Sequence, residues 1–349
     1  MEELLKTWDG ESLVIHHDRP TGAKIYVAIH STKLGPAAGG TRMKSYPSSR
    51  DAVEDALRLA RGMSYKFAAA GMDLGGGKCV IDVPNALNAK DRPGLLRRYG
   101  VLVKQLGGWY ATAPDSGTSS EDMNIISETG APHVFCRTED SGGAGDPGPF
   151  TAFGVFAGMK ATAKALFGSV SLKGKSVVIQ GVGAVGMPLI EMLLADGAQM
   201  TFTDVDKGSI AHCRDVLKLP FVAPEDVYDT ACDIFAPCAM GAILNGETIA
   251  RLRCKAVVGS ANNQLREPED AMRLHQRKIL YAPDYLVNAG GVLGIWGVET
   301  QKMSATAAKA MLAEKIESSL TEIFEISKRE QITPDAAAAR LAEKRLKHT

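Results

Sequence analysis

Lys66 and Lys78 stand twelve residues apart in Tyr65-Lys66-Phe67-Ala68-Ala69-Ala70-Gly71-Met72-Asp73-Leu74-Gly75-Gly76-Gly77-Lys78-Cys79, and the second follows three glycines. Residues without a Cβ let backbone lie close against a ligand and bring an ammonium up to it. A surface glycine turn ending in lysine would be spelled the same way. A third chemical group is Asp115, in Ala113-Pro114-Asp115-Ser116-Gly117-Thr118. It reads either as a surface turn or as an acid that works beside the lysines. Together the three make chemical sense. One lysine can hold a carboxylate as a point charge, while a second, desolvated, can have its pKa drawn from about 10.4 toward ~7 or 8 and act as a base.

Elements must bring these groups together. Between Ser48 and Ala70, apolar residues at Val53, Ala56, Leu57, Ala60, Met63 and Phe67 are spaced by three and four, which predicts a helix. Ser48 with Asp51 caps its start and Gly71 ends it, so Lys66 falls in the last turn. Lys78 sits where the β-rich Cys79–Val83 strand begins, and Asp115 follows a strand at Trp109–Thr112. Two more strands are expected between Glu11 and His30. The run Ser141-Gly142-Gly143-Ala144-Gly145-Asp146-Pro147-Gly148-Pro149 holds too many glycines and prolines for a helix or a central strand, and it reads as a hinge between two domains.

Beyond the hinge, strands at 176–180, 199–203, 232–236, 256–259 and 279–281 alternate with stretches long enough for crossover helices. This alternation predicts an α/β doubly wound parallel sheet. Residues 305–347, rich in Ala, Leu, Glu and Lys, should be helical with a break at Thr333-Pro334. The first strand of this half runs into Gly181-Val182-Gly183-Ala184-Val185-Gly186 and then a helix, and Asp204 closes the following strand. Glycines for a tight turn, a helix N-terminus for the pyrophosphate and an acid for the adenosine ribose form a dinucleotide fingerprint. The bare alternative is a glycine turn with no ligand. The Asp204 carboxylate would repel a 2′-phosphate, which favours NAD over NADP. Gly77-Lys78-Cys79 and Gly174-Lys175-Ser176 only resemble P-loop ends, because Met72 and Ser169 occupy the position of the required glycine.

Charge narrows the partners. The chain of 349 residues has 40 Lys plus Arg against 40 Asp plus Glu, leaving no basic excess for nucleic acid. The N-terminal Met1–Lys6 segment lacks the pattern of a signal peptide and no apolar run approaches the ~18 residues of a membrane helix, so a cytoplasmic protein without membrane contact is expected. The cysteines Cys79, Cys136, Cys213, Cys232, Cys238 and Cys254 show no paired spacing and the histidines do not cluster, so reduced thiols and no metal site are expected.

With Gly35-Pro36-Ala37-Ala38-Gly39-Gly40-Thr41-Arg42, Ala236-Pro237-Cys238-Ala239-Met240-Gly241, Gly259-Ser260-Ala261-Asn262-Asn263 and Ala282-Pro283-Asp284-Tyr285-Leu286-Val287-Asn288-Ala289-Gly290-Gly291 added in order, the chain resembles the glutamate/leucine/phenylalanine/valine dehydrogenases, in their leucine/phenylalanine branch. The resemblance implies NAD-dependent, reversible oxidative deamination of an L-amino acid to a 2-oxo acid and ammonia. It implies a substrate and oligomerisation domain at 1–140, rejoined by a terminal helix at 328–349, and a Rossmann domain at 141–327, with a cleft between them. A homo-oligomer is expected.

By motif, Lys66 and Asn262 would bind the substrate carboxylate beside the Gly39-Gly40 backbone, Lys78 would activate water, and Asp115 would move protons at the amino nitrogen. Thr151 would bond the nicotinamide amide, Gly181, Gly183, Ala184, Val185, Gly186 and Asp204 would hold the dinucleotide, and Ala239, Ser260 and Asn288 would line the cofactor or substrate side. The three glycines before Lys78 then read as room for substrate. Ala38 stands where glutamate-using relatives carry a lysine, so an apolar substrate is expected. Small Ala38 enlarges the pocket, whereas Ala113, Val292 and Ile295 limit it. The chain departs from the leucine pattern at Phe67, Pro114 and Leu293–Trp296, which leans the reading toward phenylalanine or mixed aromatic and branched-chain use. Strict branched-chain use, a different hydride-transfer enzyme acting on hydroxy acids and a non-catalytic NAD-binding protein remain as alternatives.

Overall fold

The computed structural model describes residues 2–84 and 87–347, so the last two residues of the expected terminal helix lie outside them. The chain forms two compact units, Met1–Asp146 with Ala342–Thr349, and Pro147–Leu341. The passage between units thus falls at 146/147, and the return at 342, inside the last helix, instead of at 140 and 328.

The first unit contains α1 (Glu2–Thr7), β1 (Ser12–Asp18), β2 (Ala23–Ser31), β3 (Ala37–Lys44), α2 (Ser49–Ala69), β4 (Gly75–Asp82), α3 (Arg92–Gln105), β5 (Tyr110–Pro114) and α4 (Ser120–Gly130). Its sheet has the order β1-β2-β4-β3-β5, antiparallel on the β1 side and parallel from β4 to β5. Side chains alternate between the faces. On one face Ile25, Val27, Cys79, Ile81 and Tyr110 pack with Leu95, Leu96 and Tyr99 of α3 and Met123 and Ile126 of α4. On the other, Tyr26, Ala28 and Val80 pack under Ala52, Val53, Ala56, Leu57 and Ala60 of α2. The helix period predicted for α2 is therefore its buried stripe. The Ser48 side chain accepts from the Asp51 N–H at its start, and Gly71 turns away at φ +63°.

The glycines before Lys78 depart from the sequence reading. Gly75, Gly76 and Gly77 belong to β4, in the interior of the sheet, and protein fills the space their missing side chains leave. A Cβ would lie 2.1 Å from the Ser31 carbonyl oxygen at Gly75, 2.1 Å from the Ser64 nitrogen at Gly76 and 2.8 Å from the Tyr110 ring at Gly77. They serve close packing of strand, helix and ring, and leave no room for substrate there.

The second unit begins with α5 (Gly148–Phe167), so Gly148 and Pro149, expected in the hinge, open a helix instead. Proline is suited to a first turn, where its missing N–H has no intrahelical acceptor. There follow β6 (Ser176–Gln180), α6 (Gly186–Ala195), β7 (Gln199–Thr203), α7 (Lys207–Ala211), β8 (Ile234–Pro237), α8 (Gly246–Arg251), β9 (Ala256–Val257), α9 (Glu269–Gln276), β10 (Leu280–Tyr281), α10 (Asp284–Val287), α11 (Gly290–Glu299), α12 (Ala305–Glu330) and α13 (Pro334–Lys347). The five strands form an all-parallel sheet in the order β10-β9-β8-β6-β7, the doubly wound α/β arrangement. Strand order reverses at β6, whose C-terminal end carries the glycine turn. Among the described residues no helix is long and apolar enough to cross a membrane.

Two glycines separate packing from propensity. Gly76→Ala should lower stability by about 1–3 kcal/mol, since Ser64 backbone cannot yield easily. Gly62→Ala, in α2 with nothing within 4 Å of its would-be Cβ, should raise it by roughly 0.5–1 kcal/mol. Denaturant midpoints of the two variants check both signs.

Candidate active site

In the first unit, three adjacent strands deliver three charges to the α2 face of the sheet. Lys78 shares its face of β4 with Gly76 and Val80, Arg42 shares its face of β3 with Ala38 and Gly40, and Asp115 follows directly on β5. Lys78 Nζ lies 2.9 Å from Asp115 Oδ2, and Arg42 Nε donates to the same oxygen at 3.0 Å. Lys78 is only 5% exposed. Gly40 makes this meeting possible, because a Cβ there would stand 2.8 Å from the Asp115 Cβ and 2.6 Å from the Pro114 carbonyl oxygen. The expected turn around Asp115 begins late, since Ala113 and Pro114 are the last residues of β5. Thr118 fixes that turn, its hydroxyl accepting from the Asp115 N–H and donating to the Thr41 carbonyl.

Burial pushes the Lys78 ammonium below the ordinary lysine value of 10.5, against the upward pull of Asp115, and Arg42 adds to the lowering. Burial works to raise the Asp115 carboxyl, yet Lys78 and Arg42 overcome it and hold the group below 3.8. The pair thus joins an ionised carboxylate to a lysine that gives up its proton more readily than one in water, which suits proton transfer.

Arg42 and its supports carried no assigned role in the sequence reading. Arg42 Nη1 donates to Asp55 Oδ2 at 3.0 Å, and Asp55 also accepts from the Tyr46 hydroxyl at 2.7 Å and from Arg58 Nη2 at 2.8 Å. The signal available was the alternation Ala38, Gly40, Arg42 on one strand, which puts the guanidinium on the same face as Lys78.

Lys66 is half-buried in the last turn of α2, as expected, and Arg345 Nη1 caps that turn by donating to the Ala68 and Ala69 carbonyls at 2.9 and 2.8 Å. Gly39 faces away from Arg42. Its would-be Cβ points at the Gly77 carbonyl oxygen, and its own carbonyl accepts from the Tyr110 hydroxyl at 2.8 Å. Ala38 pairs in register with Gly76 on one side and Ala111 on the other, while Ala113 is half-buried opposite Gly40.

The second unit holds the other expected residues. Gly181 adopts φ +98°, and a Cβ there would meet Ala239 at 2.6 Å. At Gly186 a Cβ would lie 2.1 Å from the Gly181 carbonyl oxygen, whereas at Gly183 nothing stands within 4 Å. Two glycines thus build the turn and the third leaves open space at its crest, beside exposed Ala184 and half-buried Val185, ahead of the first N–H groups of α6. That division fits a pyrophosphate. Asp204 Oδ2 accepts from the Val182 N–H, and Oδ1 accepts from the Val205 and Asp206 N–H groups at 2.7 and 2.8 Å. Asp204 therefore braces the turn, with acceptor capacity left on Oδ2 for a ribose hydroxyl.

Asn288 Nδ2 donates to Asn262 Oδ1 at 2.7 Å and to the Ser260 carbonyl at 3.2 Å, so these three residues meet. Thr151 turns its hydroxyl back to the Pro147 carbonyl at 2.9 Å. Val292 and Ile295, three apart on α11, share a helix face, the first half-buried and the second buried.

Known proteins share the family signature and the fold. Residues 13–131 match the model described as Glu/Leu/Phe/Val dehydrogenase, dimerisation domain, and residues 204–349 match Glutamate/Leucine/Phenylalanine/Valine dehydrogenase. Leucine dehydrogenase of Thermoactinomyces intermedius is 45% identical over 99% of this chain and 93% of its own length. Valine dehydrogenase of Streptomyces virginiae is 45% identical over 96% and 92%. The crystal structure of L-tryptophan dehydrogenase from Nostoc punctiforme superposes with a TM-score of 0.88 at 36% identity, covering 100% of this chain and 99% of that one. The two-unit fold, the dinucleotide turn and these likenesses define an NAD-dependent amino acid dehydrogenase. The chain belongs to the Glu/Leu/Phe/Val dehydrogenase family, in its leucine/phenylalanine branch.

The glycine turn allows a separation of fold from cofactor. Gly183→Val should leave the thermal midpoint close to that of the parent while weakening NAD binding tenfold or more, about 1.4 kcal/mol. Gly186→Ala should lower the midpoint itself. Calorimetric titration with NAD, together with thermal melts, distinguishes the two.

Proposed function

We propose that the enzyme deaminates an apolar L-amino acid, accepting aromatic as well as branched side chains, and that Lys78 and Asp115 are its catalytic residues. The observation that carries this reading is the 2.9 Å pair between buried Lys78 and half-buried Asp115. NAD, when bound, supplies the hydride acceptor. The chain's own groups handle the carboxylate and the protons. Lys66 and Asn262 hold the substrate carboxylate, and ionised Asp115 takes a proton from the substrate ammonium. Once Cα has been oxidised to the imine, neutral Lys78 accepts a proton from the water that attacks it. Asp115 returns its proton to the nitrogen and then, as a carboxylate again, takes the proton of the carbinolamine hydroxyl, so that the C–N bond breaks, the C=O bond forms and ammonia leaves the 2-oxo acid. Thr151, Ala239, Ser260 and Asn288 serve the nicotinamide and substrate, and the enzyme works as a homo-oligomer.

Ala38, Gly40 and Ala113 are small and uncharged, which supports an apolar substrate side chain and offers nothing to pair a second carboxylate. The kinship with leucine and valine dehydrogenases supports a second reading, strict branched-chain use. One methylene more or less is worth only ~1–3 kcal/mol in an apolar pocket, which supports broad use.

A panel of L-phenylalanine, L-tryptophan, L-leucine, L-valine and L-glutamate with NAD and NADP, followed by NADH or NADPH absorbance, tests the reading. Phenylalanine and branched-chain substrates should lead with NAD; glutamate as the best substrate would contradict it. Lys78→Ala should abolish turnover with NAD binding intact. Reduction of the oxo acid should require ammonium. The pH profile carries a sign as well. Lys78 must be neutral to act, so kcat/KM should rise with pH through an ionisation that lies below 10.5.

A further inference from the structure

We propose that Arg42 is a positioning residue for the acid–base pair, clamping Asp115 onto Lys78 from an anchor at Asp55. This inference rests on the catalytic roles proposed above for Lys78 and Asp115.

The geometry is that of a bridge. One guanidinium spans two carboxylates, with Nε on Asp115 Oδ2 and Nη1 on Asp55 Oδ2, each at 3.0 Å. The Asp115 oxygen that Arg42 engages is the one Lys78 engages, so the carboxylate cannot rotate without breaking both contacts. The far end is fixed in turn. Asp55 sits on α2, its side chain only 13% exposed, and is held by Tyr46 and Arg58. Only arginine has the planar fork to reach two acceptors in fixed directions; a lysine at the same position would offer a point charge without that orientation.

Charge reinforces geometry. The groups facing Asp115 are Lys78 from β4 and Arg42 from β3, with Asp55 and Arg58 from α2 and Tyr46 beyond them. Arg42 is the second cation on Asp115, and its charge lowers both Asp115 and Lys78. Removing it leaves Lys78 alone on that carboxylate, so both Asp115 and Lys78 should hold their protons more tightly. In the proposed mechanism Arg42 contacts neither substrate nor cofactor. It acts through Asp115.

The test is a comparison of R42Q, R42K and D55N with K78A and D115N, using the best substrate of the panel at saturating NAD. R42Q should lower kcat by roughly 10- to 100-fold, the cost of a misplaced group, with KM for the amino acid changed little. Its acid limb of kcat/KM should move to higher pH. R42K should keep the limb nearer its parental position but recover kcat only partly, and D55N should lower kcat in the same sense. If R42Q fails to fold, R42K and D55N carry the test alone. Parental kcat and pH profile in R42Q, or in both R42K and D55N, would overturn the clamp while leaving Lys78 and Asp115 in their roles. Undiminished turnover by K78A or D115N would instead overturn the catalytic assignment on which the clamp rests.

Discussion

An ammonium buried within a sheet needs a carboxylate, and the meeting of Lys78 with Asp115 is the constraint around which the first unit is arranged. Either charge alone would cost several kcal/mol to take out of water, and the pair recovers this only with good geometry and further hydrogen bonds. The sheet supplies both. Its parallel strands β4, β3 and β5 set Lys78, Arg42 and Asp115 side by side, and Gly40 on the middle strand removes the side chain that would stand between them. Burial also works against the charge, so Lys78 gives up its proton more readily than a lysine in water.

The two units differ in physical type. The first concentrates charge on rigid strands, where small shifts would be felt by a proton transfer. The second presents backbone, with a left-handed glycine, an open glycine and a helix N-terminus in succession after β6. Asp204 joins these demands in one residue, fixing the turn with its carboxylate while keeping acceptor capacity.

Much of this was legible in the chain. The three-and-four spacing of α2, the strand alternation after residue 175 and the fingerprint at Gly181 each express a local rule, and each appears where the rule puts it. Lys66, Lys78 and Asp115 stood out because their types could do chemistry. What filled the space beside a glycine was hidden: Gly75–Gly77 looked like room for a ligand, but Ser31, Ser64 and Tyr110 occupy it, contacts made by residues distant in sequence. Arg42 was in view within its motif, yet its partners lie 13 and 73 residues away, beyond any local pattern. Gly148 and Pro149 misled for the opposite reason, since residues that break a helix interior are welcome in its first turn.

The central claim is that burial beside Asp115 makes Lys78 a base. A heteronuclear NMR titration of the Lys78 side chain in the labelled enzyme, assigned by difference from K78A, measures this directly. The account predicts a pKa below 10.5 that falls further in D115N, where the partner that raises it is gone. An ordinary lysine value, or one indifferent to that substitution, would contradict it.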